Sequence, residues 1–337
     1  MKLIGRIFYY FLKVRLFFGY RLYYRKFQIG GMKNVPTGCP VLFAPNHQNA
    51  LVDPLVAGGP TIRCPYFLTR GDIFEKKLIG DFMRGLKMLP IFRFRDGLVN
   101  VKRNSDSMGI SIQKLIDGNS LLIFPEGNHN LQYRLRPLQK GIARIAFDVE
   151  EKTGFASNLK IVPVGIHYEN HFKGGQRTLV NFGEPISVKE YQEMYEENAR
   201  EAYDAILVEL SARMKPLMVD IPINEYGEIE RKWKAARVYR RDLMEQLAVD
   251  QEIISQLAKG EEIKPSLPAQ SKGLRVYDIL HVLLYPFNFL PSLLINIIIK
   301  KKVKDPHFYG TFHFTLSLYL FPVFYAVYGL IAWWVFF

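Results

Sequence analysis

Cysteine is scarce in this sequence, which contains only Cys39 and Cys64. Two cysteines form neither a metal-type cluster nor a disulfide framework, and their scarcity fits a reducing compartment. Acidic residues are missing from the first part of the chain, where none occurs before Asp53. The spacings typical of zinc sites and of nucleic-acid recognition motifs are also absent. The sequence therefore argues against a disulfide-built secreted domain and against a nucleic-acid partner.

Apolar and basic residues are abundant. Almost half of the 337 residues are apolar, including 25 Phe and 19 Tyr, so a sizeable core can form and apolar surface is left over. The formal net charge is +13. Such a charge suits an anionic partner, for example a membrane surface or a phosphorylated substrate.

The amino-terminal segment, residues 1–28, is aromatic and basic. Its basic residues interrupt the apolar ones too often for a signal peptide or a spanning helix. These residues are Lys2, Arg6, Lys13, Arg15, Arg21, Arg25 and Lys26. Most of them share one broad side of a helical wheel, which predicts a helix lying in the membrane interface. The alternative is an amphipathic helix docked on the core of its own domain.

Residues 29–225 alternate between short apolar runs and stretches with helical spacing. The predicted strands are Val41–Ala44, Pro65–Leu68, Met88–Phe92, Leu121–Phe124, Ile161–Ile166 and Thr178–Phe182. The predicted helical faces are Met108, Ile112, Leu115 and Ile116, and then Ile142, Ile145, Ala146 and Val149. Strands that alternate with helices predict an α/β fold with a mostly parallel sheet and flanking helices. Sites in such sheets gather in the strand-to-helix loops.

A histidine and a carboxylate follow the first predicted strand, in the run from His47 to Asp53-Pro54. A histidine can take a proton from a hydroxyl near neutral pH, and a carboxylate on its other ring nitrogen fixes the tautomer. The pair is therefore a candidate catalytic base and its orienting group. The alternative is that Asp53 caps a helix with Pro54 in its first turn, and that His47 is an ordinary loop residue.

A second candidate loop follows the strand Leu121–Phe124 and contains Pro125, Glu126 and Gly127. Glu126 is placed there to bond a hydroxyl or to orient a cation, and the alternative is a turn glycine beside a surface carboxylate. Basic side chains flank the two loops. They are Arg93 and Arg95 after one strand, and Arg134, Arg136 and Lys140 after the glutamate. Guanidinium groups and helix amino-termini are the usual binding groups for phosphate, whereas any single one can be solvated surface charge.

Four blocks of residues, in this order, resemble the motif blocks of the glycerolipid acyltransferases, the family of lysophosphatidate and glycerol-3-phosphate acyltransferases. The blocks are His47 to Asp53, Pro90 to Arg95, Phe124 to Gly127 and Val162 to Gly165. The resemblance covers roughly residues 30–185, and it rests on four blocks in sequence rather than on one.

The resemblance implies that His47 is the general base for an acceptor hydroxyl that attacks an acyl thioester, and that Asp53 orients it. The arginine of the second block and the Glu126-Gly127 loop would hold the phosphate-bearing head of lysophosphatidate or glycerol-3-phosphate. The implied donor is acyl-CoA or acyl-carrier protein. No covalent acyl-enzyme, cofactor or metal ion is implied.

The sequence departs from the family pattern in three places. Five residues separate His47 from Asp53, where four are common. Asn128-His129 replaces the usual Thr-Arg, so that His129, Arg134 or Arg136 would have to supply the missing cation. The second block leaves open whether Arg93 or Arg95 is its arginine. These departures leave two alternative functions open. One is acylation of a non-phosphate acceptor such as an N-acyl amino-acid lipid, and the other is lipid binding by a catalytically silent membrane protein.

A helical pattern runs from Lys189 to Lys259 and is broken near Pro216 and Pro222. We assign residues 226–272 to a helical region and a linker. Residues 273–337 then contain two long apolar segments, Ile279–Ile299 and Phe312–Phe337. Each is long enough for a bilayer core of about 30 Å. We therefore predict membrane-embedded C-terminal segments and a membrane location.

The topology of these segments is constrained by the lysines between them, Lys300, Lys301, Lys302 and Lys304. The positive-inside rule places that loop in the cytoplasm. We predict the catalytic domain on the cytoplasmic face as well, whereas a single crossing by the first segment would put that domain outside. Two prolines and two asparagines in the first segment suggest that it dips in and returns, or lies in the interface, while the second enters the bilayer. They are Pro286, Asn288, Pro291 and Asn296. The competing topology is two full spans with a charged outer loop.

Overall fold

The computed structural model describes residues 3–91, 98–172, 174–263 and 276–337. The helices are α1 (Leu3–Tyr23), α2 (Val52–Gly58), α3 (Lys77–Gly85), α4 (Leu98–Ile116), α5 (Gly141–Lys152), α6 (Gln192–Glu197), α7 (Ala199–Met214), α8 (Tyr226–Ala236), α9 (Leu243–Ala258), α10 (Val276–Lys302) and α11 (Tyr309–Phe336). The strands are β1 (Lys26–Gly30), β2 (Val41–Pro45), β3 (Tyr66–Arg70), β4 (Met88–Ile91), β5 (Ser120–Leu122), β6 (Lys160–Tyr168), β7 (Arg177–Phe182) and β8 (Ile186–Ser187).

The strands form one mixed sheet in the order β1-β7-β6-β2-β5-β3-β4, with β8 paired to β6. All pairings are parallel except β6 with β7 and β6 with β8. The predicted α/β class with a mostly parallel sheet is therefore confirmed. Each of the six predicted strands is present within a few residues of its predicted ends, whereas β1 and β8 were not predicted.

The central strand β2 is covered on both faces of the sheet. All five of its residues are buried, as expected for a parallel strand with helices on either side. Leu42 and Ala44 point into one apolar layer with α4, α5 and α7. Val41 and Phe43 point into the other, with α1, α2 and α11. This alternation is the two-residue period of a strand.

The predicted helical pattern from Lys189 to Lys259 is confirmed as four helices, α6 to α9, with a break at Pro216 and Pro222. Helices α8 and α9 pack around the buried Trp233 and contact the sheet through Leu179 of β7. A buried ion pair at 2.8 Å, Arg237 to Asp250, joins the two helical segments.

Helix α1 docks on the domain through one face and exposes the other. Tyr20 and Tyr24 are buried against the sheet layer, and the Lys13 ammonium donates to the Thr61 carbonyl at 2.6 Å. The opposite face carries exposed apolar side chains, which are Ile7, Phe8, Tyr10, Phe11, Val14, Phe17 and Phe18. The helix ends at Tyr23, and the chain continues directly into the edge strand β1.

Helices α10 and α11 form an antiparallel hairpin. The predicted dip and return of the first apolar segment is wrong, because α10 runs unbroken from Val276 to Lys302 with Pro286 and Pro291 inside it. The alternative, that this segment lies in the interface, stays a prediction. Within the described ranges, α11 is the one helix that is long and apolar enough to cross a membrane by length and composition.

Candidate active site

The candidate site lies where two strand-to-helix loops meet. Strands β5 and β6 both pair parallel to β2, so their carboxyl ends share one edge of the sheet. The loop between β2 and α2 carries His47, and the loop after β5 carries Glu126. The Ile123 amide donates to the Phe43 carbonyl at 3.0 Å and holds the two loop starts together.

His47 and Asp53 form a hydrogen-bonded pair, with 2.7 Å between the histidine Nδ1 and the carboxylate Oδ2. Because a carboxylate only accepts hydrogen bonds, Nδ1 carries the proton, and Nε2 is the ring nitrogen that can accept another. The His47 side chain is 14% exposed and that of Asp53 is fully buried. The pair can therefore act as a base with a fixed tautomer.

The extra residue between the two side chains is absorbed by the loop. Helix α2 begins at Val52, so Asp53 lies within its first turn rather than at its cap. Ala50 adopts a φ of +31° in the preceding loop, a conformation that a residue with a Cβ seldom takes. With this bend the backbone amides of Gln48 and Asn49 both donate to Asp53 Oδ2 at 2.7 Å.

Tyr168 is a residue of the candidate site that the sequence did not predict. It lies at the end of β6, and its hydroxyl donates to the second oxygen of Asp53, Oδ1, at 2.7 Å. Burial and then the neighbouring Asp53 carboxylate raise the pKa of Tyr168 well above its usual value, so the phenol remains a donor. Four donors thus hold the buried carboxylate, as a charge removed from water requires.

Two aromatic rings also contact the imidazole of His47. Phe124 stacks on it with ring centroids 3.8 Å apart and an interplanar angle of 18°. The ring of His129 approaches edge-on, with centroids 5.5 Å apart. His129 in turn meets Phe308, in the turn of the α10–α11 hairpin, at 5.6 Å. The candidate base therefore lies next to the apolar hairpin.

Glu126 joins the two loops. Its Oε1 accepts the His47 backbone amide at 2.7 Å, and its Oε2 accepts Arg136 Nε at 2.6 Å. Burial raises the pKa of Glu126, and the Arg136 charge and these hydrogen bonds oppose that rise. Gly127 follows with a φ of +77°, which favours glycine at this turn.

Arg136 contacts two residues of the glutamate loop, Glu126 and Asn128. Its guanidinium donates to the side chain and to the backbone carbonyl of Asn128, while it also pairs with Glu126. The side chain of Arg136 is 15% exposed. The guanidinium is therefore brought to the glutamate loop from outside its sequence motif.

The other predicted cations have different positions. Lys140 pairs with Asp204 of α7 at 2.5 Å. Burial raises the pKa values of Asp220 and Tyr226, and the nearby charge of Arg134 opposes that rise. The structure thus does not bring these two side chains to His47 through any described contact. Arg93 and Arg95 lie outside the described residues.

The buried His171 contacts the loop between β2 and α2. His171 Nε2 lies 3.2 Å from the Gln48 side-chain oxygen, and the His171 carbonyl accepts the Asn49 side-chain amide at 3.0 Å. Burial lowers the pKa of His171 to about 4, with Asp53 raising it and Lys234 lowering it further. The imidazole is therefore neutral near neutral pH and donates to Gln48.

We expect this histidine to make the fold sensitive to acid. Its folded pKa lies below the unfolded value, so its contribution to stability is complete above about pH 6.5 and is lost as the pH falls toward about 4. Between pH 7 and pH 5 the loss should be about 2 kcal/mol. The His171→Gln variant, which can still donate to Gln48, should lose that part of the pH dependence. Thermal unfolding midpoints in detergent at the two pH values measure it, and an unchanged slope in the variant would rule out His171 as its source.

Part of this chain is similar to known acyltransferases. Residues 26–167 match the family described as acyltransferase. Glycerol-3-phosphate O-acyltransferase 1 of Saccharomyces cerevisiae is 28% identical over 49% of this chain and 22% of its own length. A second yeast protein, glycerol-3-phosphate O-acyltransferase 2, is 29% identical over 33% of this chain and 18% of its own. The chain thus spans about a fifth of the length of these curated relatives.

Two further relatives carry related names. The chloroplastic 1-acyl-sn-glycerol-3-phosphate acyltransferase of Arabidopsis thaliana is 29% identical over 41% of this chain and 35% of its own length. The crystal structure of the 1-acyl-sn-glycerophosphate acyltransferase of Thermotoga maritima superposes with a TM-score of 0.41 at 19% identity, covering 63% of this chain and 85% of that one. The family match includes the His47–Asp53 pair, the Glu126 loop and strand β6 as far as His167. Residues 26–167 of this chain are therefore similar to the acyltransferase family.

Proposed function

We propose that this chain is a membrane-bound O-acyltransferase that moves a fatty acyl chain from an acyl thioester to a hydroxyl of lysophosphatidate or glycerol-3-phosphate. The observation that carries the proposal is the 2.7 Å bond from His47 Nδ1 to the buried Asp53 carboxylate. It leaves Nε2 as the proton-accepting atom of a ring whose tautomer is fixed. The presence of both His47 and Asp53 also argues against a catalytically silent lipid binder.

In the proposed reaction His47 Nε2 takes the proton of the acceptor hydroxyl as that oxygen attacks the thioester carbonyl. The new C–O bond forms, the C–S bond breaks, and the proton passes from His47 to the departing thiolate. Asp53 stabilises the imidazolium between these steps, and Tyr168 and two backbone amides keep Asp53 in place. The donor is acyl-CoA or acyl-carrier protein.

Arg136 supports a phosphate-bearing acceptor. A phosphate monoester needs concentrated positive charge, and an arginine fork is well suited to it. The guanidinium of Arg136 is fixed by Glu126 and Asn128 on the loop beside His47, and it retains partial exposure. Arg93 and Arg95 remain candidates from the sequence for the same role. His129, whose ring faces His47, stands where the family has an arginine.

An acyl-transfer assay on purified membranes tests the proposal. Acyl-CoA and acyl-carrier protein are each offered with glycerol-3-phosphate, lysophosphatidate or an N-acyl amino-acid lipid, and membranes carrying His47→Ala serve as the blank. Product formed from a phosphate acceptor, and absent from the blank, is expected. Product from the amino-acid lipid alone would favour a non-phosphate acceptor, and no product from any pair would contradict the enzymatic proposal.

A further inference from the structure

We propose that the α10–α11 hairpin lies along one leaflet of the membrane, on the side of the catalytic domain, and does not cross the bilayer. Helix α11 meets the length and composition of a membrane span. The position of the hairpin turn and the chain that leads into α10 nevertheless favour an in-plane arrangement. This inference is independent of the acyl acceptor and of the reaction.

The turn of the hairpin contacts the candidate active site. Phe308 meets the ring of His129, and Tyr309 meets Phe172 with ring centroids 6.5 Å apart. At Gly310 the backbone is so close to the site that a Cβ would lie 2.2 Å from the His171 carbonyl oxygen. The turn is therefore on the same side of any membrane as the catalytic domain, which removes the topology with a charged outer loop.

The two helices run side by side away from this turn. The Tyr325 hydroxyl donates to the Asn288 side chain at 2.7 Å, and the Tyr328 hydroxyl donates to the Phe287 carbonyl at 3.2 Å. At about 1.5 Å per residue, Phe287 lies about 20 Å from the end of α10, and Val276 lies about 40 Å from it. An upright hairpin would thus carry the start of α10 to the far side of a bilayer core of about 30 Å.

The sequence of the chain between α9 and α10 is unsuited to that crossing. Residues 264–275 read Lys-Pro-Ser-Leu-Pro-Ala-Gln-Ser-Lys-Gly-Leu-Arg. Twelve residues are too few for a spanning helix, two prolines oppose a helix, and three cations are costly in hydrocarbon. Because α9 belongs to the catalytic domain, the start of α10 must remain on the side of that domain. The whole of α10, and α11 packed along it, then lies in one leaflet.

Helix α1 defines the plane of contact. It lies along the domain, from Phe8, whose ring centroid is 5.5 Å from that of Phe82, to Tyr20, which is buried in the sheet layer. Helix α11 packs along it, with the Tyr23 hydroxyl 3.1 Å from His313 Nδ1 and the Leu318 side chain against Gly19. The exposed apolar face of α1 and the exposed side chains of α11 therefore face one lipid layer together.

The charges agree with this placement. Lys300, Lys301, Lys302 and Lys304 are exposed at the hairpin turn, where they would meet anionic headgroups of the same leaflet. Helices satisfy their own backbone hydrogen bonds, so an apolar helix can lie within the hydrocarbon of one leaflet without unpaired amides.

The tryptophans of α11 provide a direct test. The chain has three tryptophans, and Trp333 and Trp334 are exposed at the end of α11, about 36 Å along the helix from Tyr309. The full-length protein is inserted from outside into preformed vesicles that carry a spin-labelled quencher in one leaflet only. Protease digestion of the catalytic domain verifies the orientation. The double variant Trp333→Phe/Trp334→Phe gives the signal of the buried Trp233 for subtraction.

We expect the outer-leaflet label to quench the difference signal several-fold more than the inner-leaflet label. Equal quenching by the two labels, or stronger quenching by the inner one, would overturn the in-plane proposal. Quenching by neither label would overturn it as well, because Trp333 and Trp334 would then lie outside the lipid. Each of these results leaves the acyltransferase proposal unaffected.

Discussion

Replacing His47 by alanine should lower the kcat of acyl transfer by roughly a hundredfold or more, which is the usual scale of losing a general base. The fold should change little, because the imidazole makes one side-chain hydrogen bond in the described structure, to Asp53, and remains partly exposed. Steady-state kinetics and a thermal melt on the same detergent-solubilised sample measure both quantities. Turnover near the wild-type rate would remove His47 from the mechanism.

The variant Asp53→Asn refines this test. If His47 and Asp53 act as one unit, the double variant should be no slower than His47→Ala alone. Asp53→Asn alone should also lower the free energy of unfolding by about 1–3 kcal/mol, since the amide nitrogen of the new side chain would face hydrogen-bond donors in the buried site. Asp117→Asn is the matched control, because Asp117 is an exposed helix-end carboxylate bonded to Gln113. A double variant much slower than both single ones would contradict the coupled pair.

Replacing Arg136 by alanine should raise the Michaelis constant for a phosphate acceptor by about thirtyfold, equivalent to about 2 kcal/mol of binding. The constant for the acyl donor should hardly change. Arg213→Ala is the matched control. The Nε of Arg213 also pairs with a carboxylate, that of Glu209, at 2.5 Å, and Arg213 is not one of the described site residues. Initial rates with the acceptor varied at saturating donor measure the effect.

Arg136 also holds Glu126, so its two roles have to be separated. Glu126→Gln should weaken the link to the His47 amide and lower kcat, but should leave the acceptor constant largely unchanged. If Arg136→Ala lowers kcat alone, the arginine supports the loop and the phosphate is bound elsewhere. Arg93→Ala and Arg95→Ala then become the deciding variants, and an acceptor constant indifferent to all three arginines would favour a non-phosphate lipid.

The sequence predicted the parts of the fold that depend on short-range patterns. The central strands are predictable because burial on both faces leaves continuous apolar runs, as in Val41–Pro45. The edge strand β1 has mixed polarity, Lys-Phe-Gln-Ile-Gly, and it forms only because its backbone pairs with β7. Such pairing depends on residues about 150 positions away and leaves no local signal.

The candidate site shows the same division. The His47–Asp53 pair and Glu126 lie in short motifs and could be predicted, whereas the Tyr168 hydroxyl reaches Asp53 across 115 positions. One weak signal was available, since Tyr168 lies two residues beyond the predicted strand Ile161–Ile166, in a sheet predicted to be mostly parallel. Arg136 was one of several candidate cations, and only the fold decides that it, rather than Arg134 or Lys140, meets the glutamate loop.

The apolar segment around Pro286 and Pro291 was misjudged for a related reason. In water a proline inside a helix costs about 3 kcal/mol and often ends it. In α10 the neighbouring helix packs alongside, and Tyr328 donates to the carbonyl of Phe287. A helix in an apolar setting tolerates prolines when nearby groups satisfy the backbone, and the local sequence alone does not contain that information.

The close contact at Gly310 limits how this protein can be engineered. Because any side chain at this position would collide with the His171 carbonyl and the Asn49 amide, the start of α11 is a fitted part of the catalytic domain and not an interchangeable tail. A soluble version made by cutting the chain before the hairpin would uncover the buried Asn49 and His171 beneath the candidate base. A more promising soluble form keeps residues 303–314 and replaces only the exposed apolar surface of α11 beyond them.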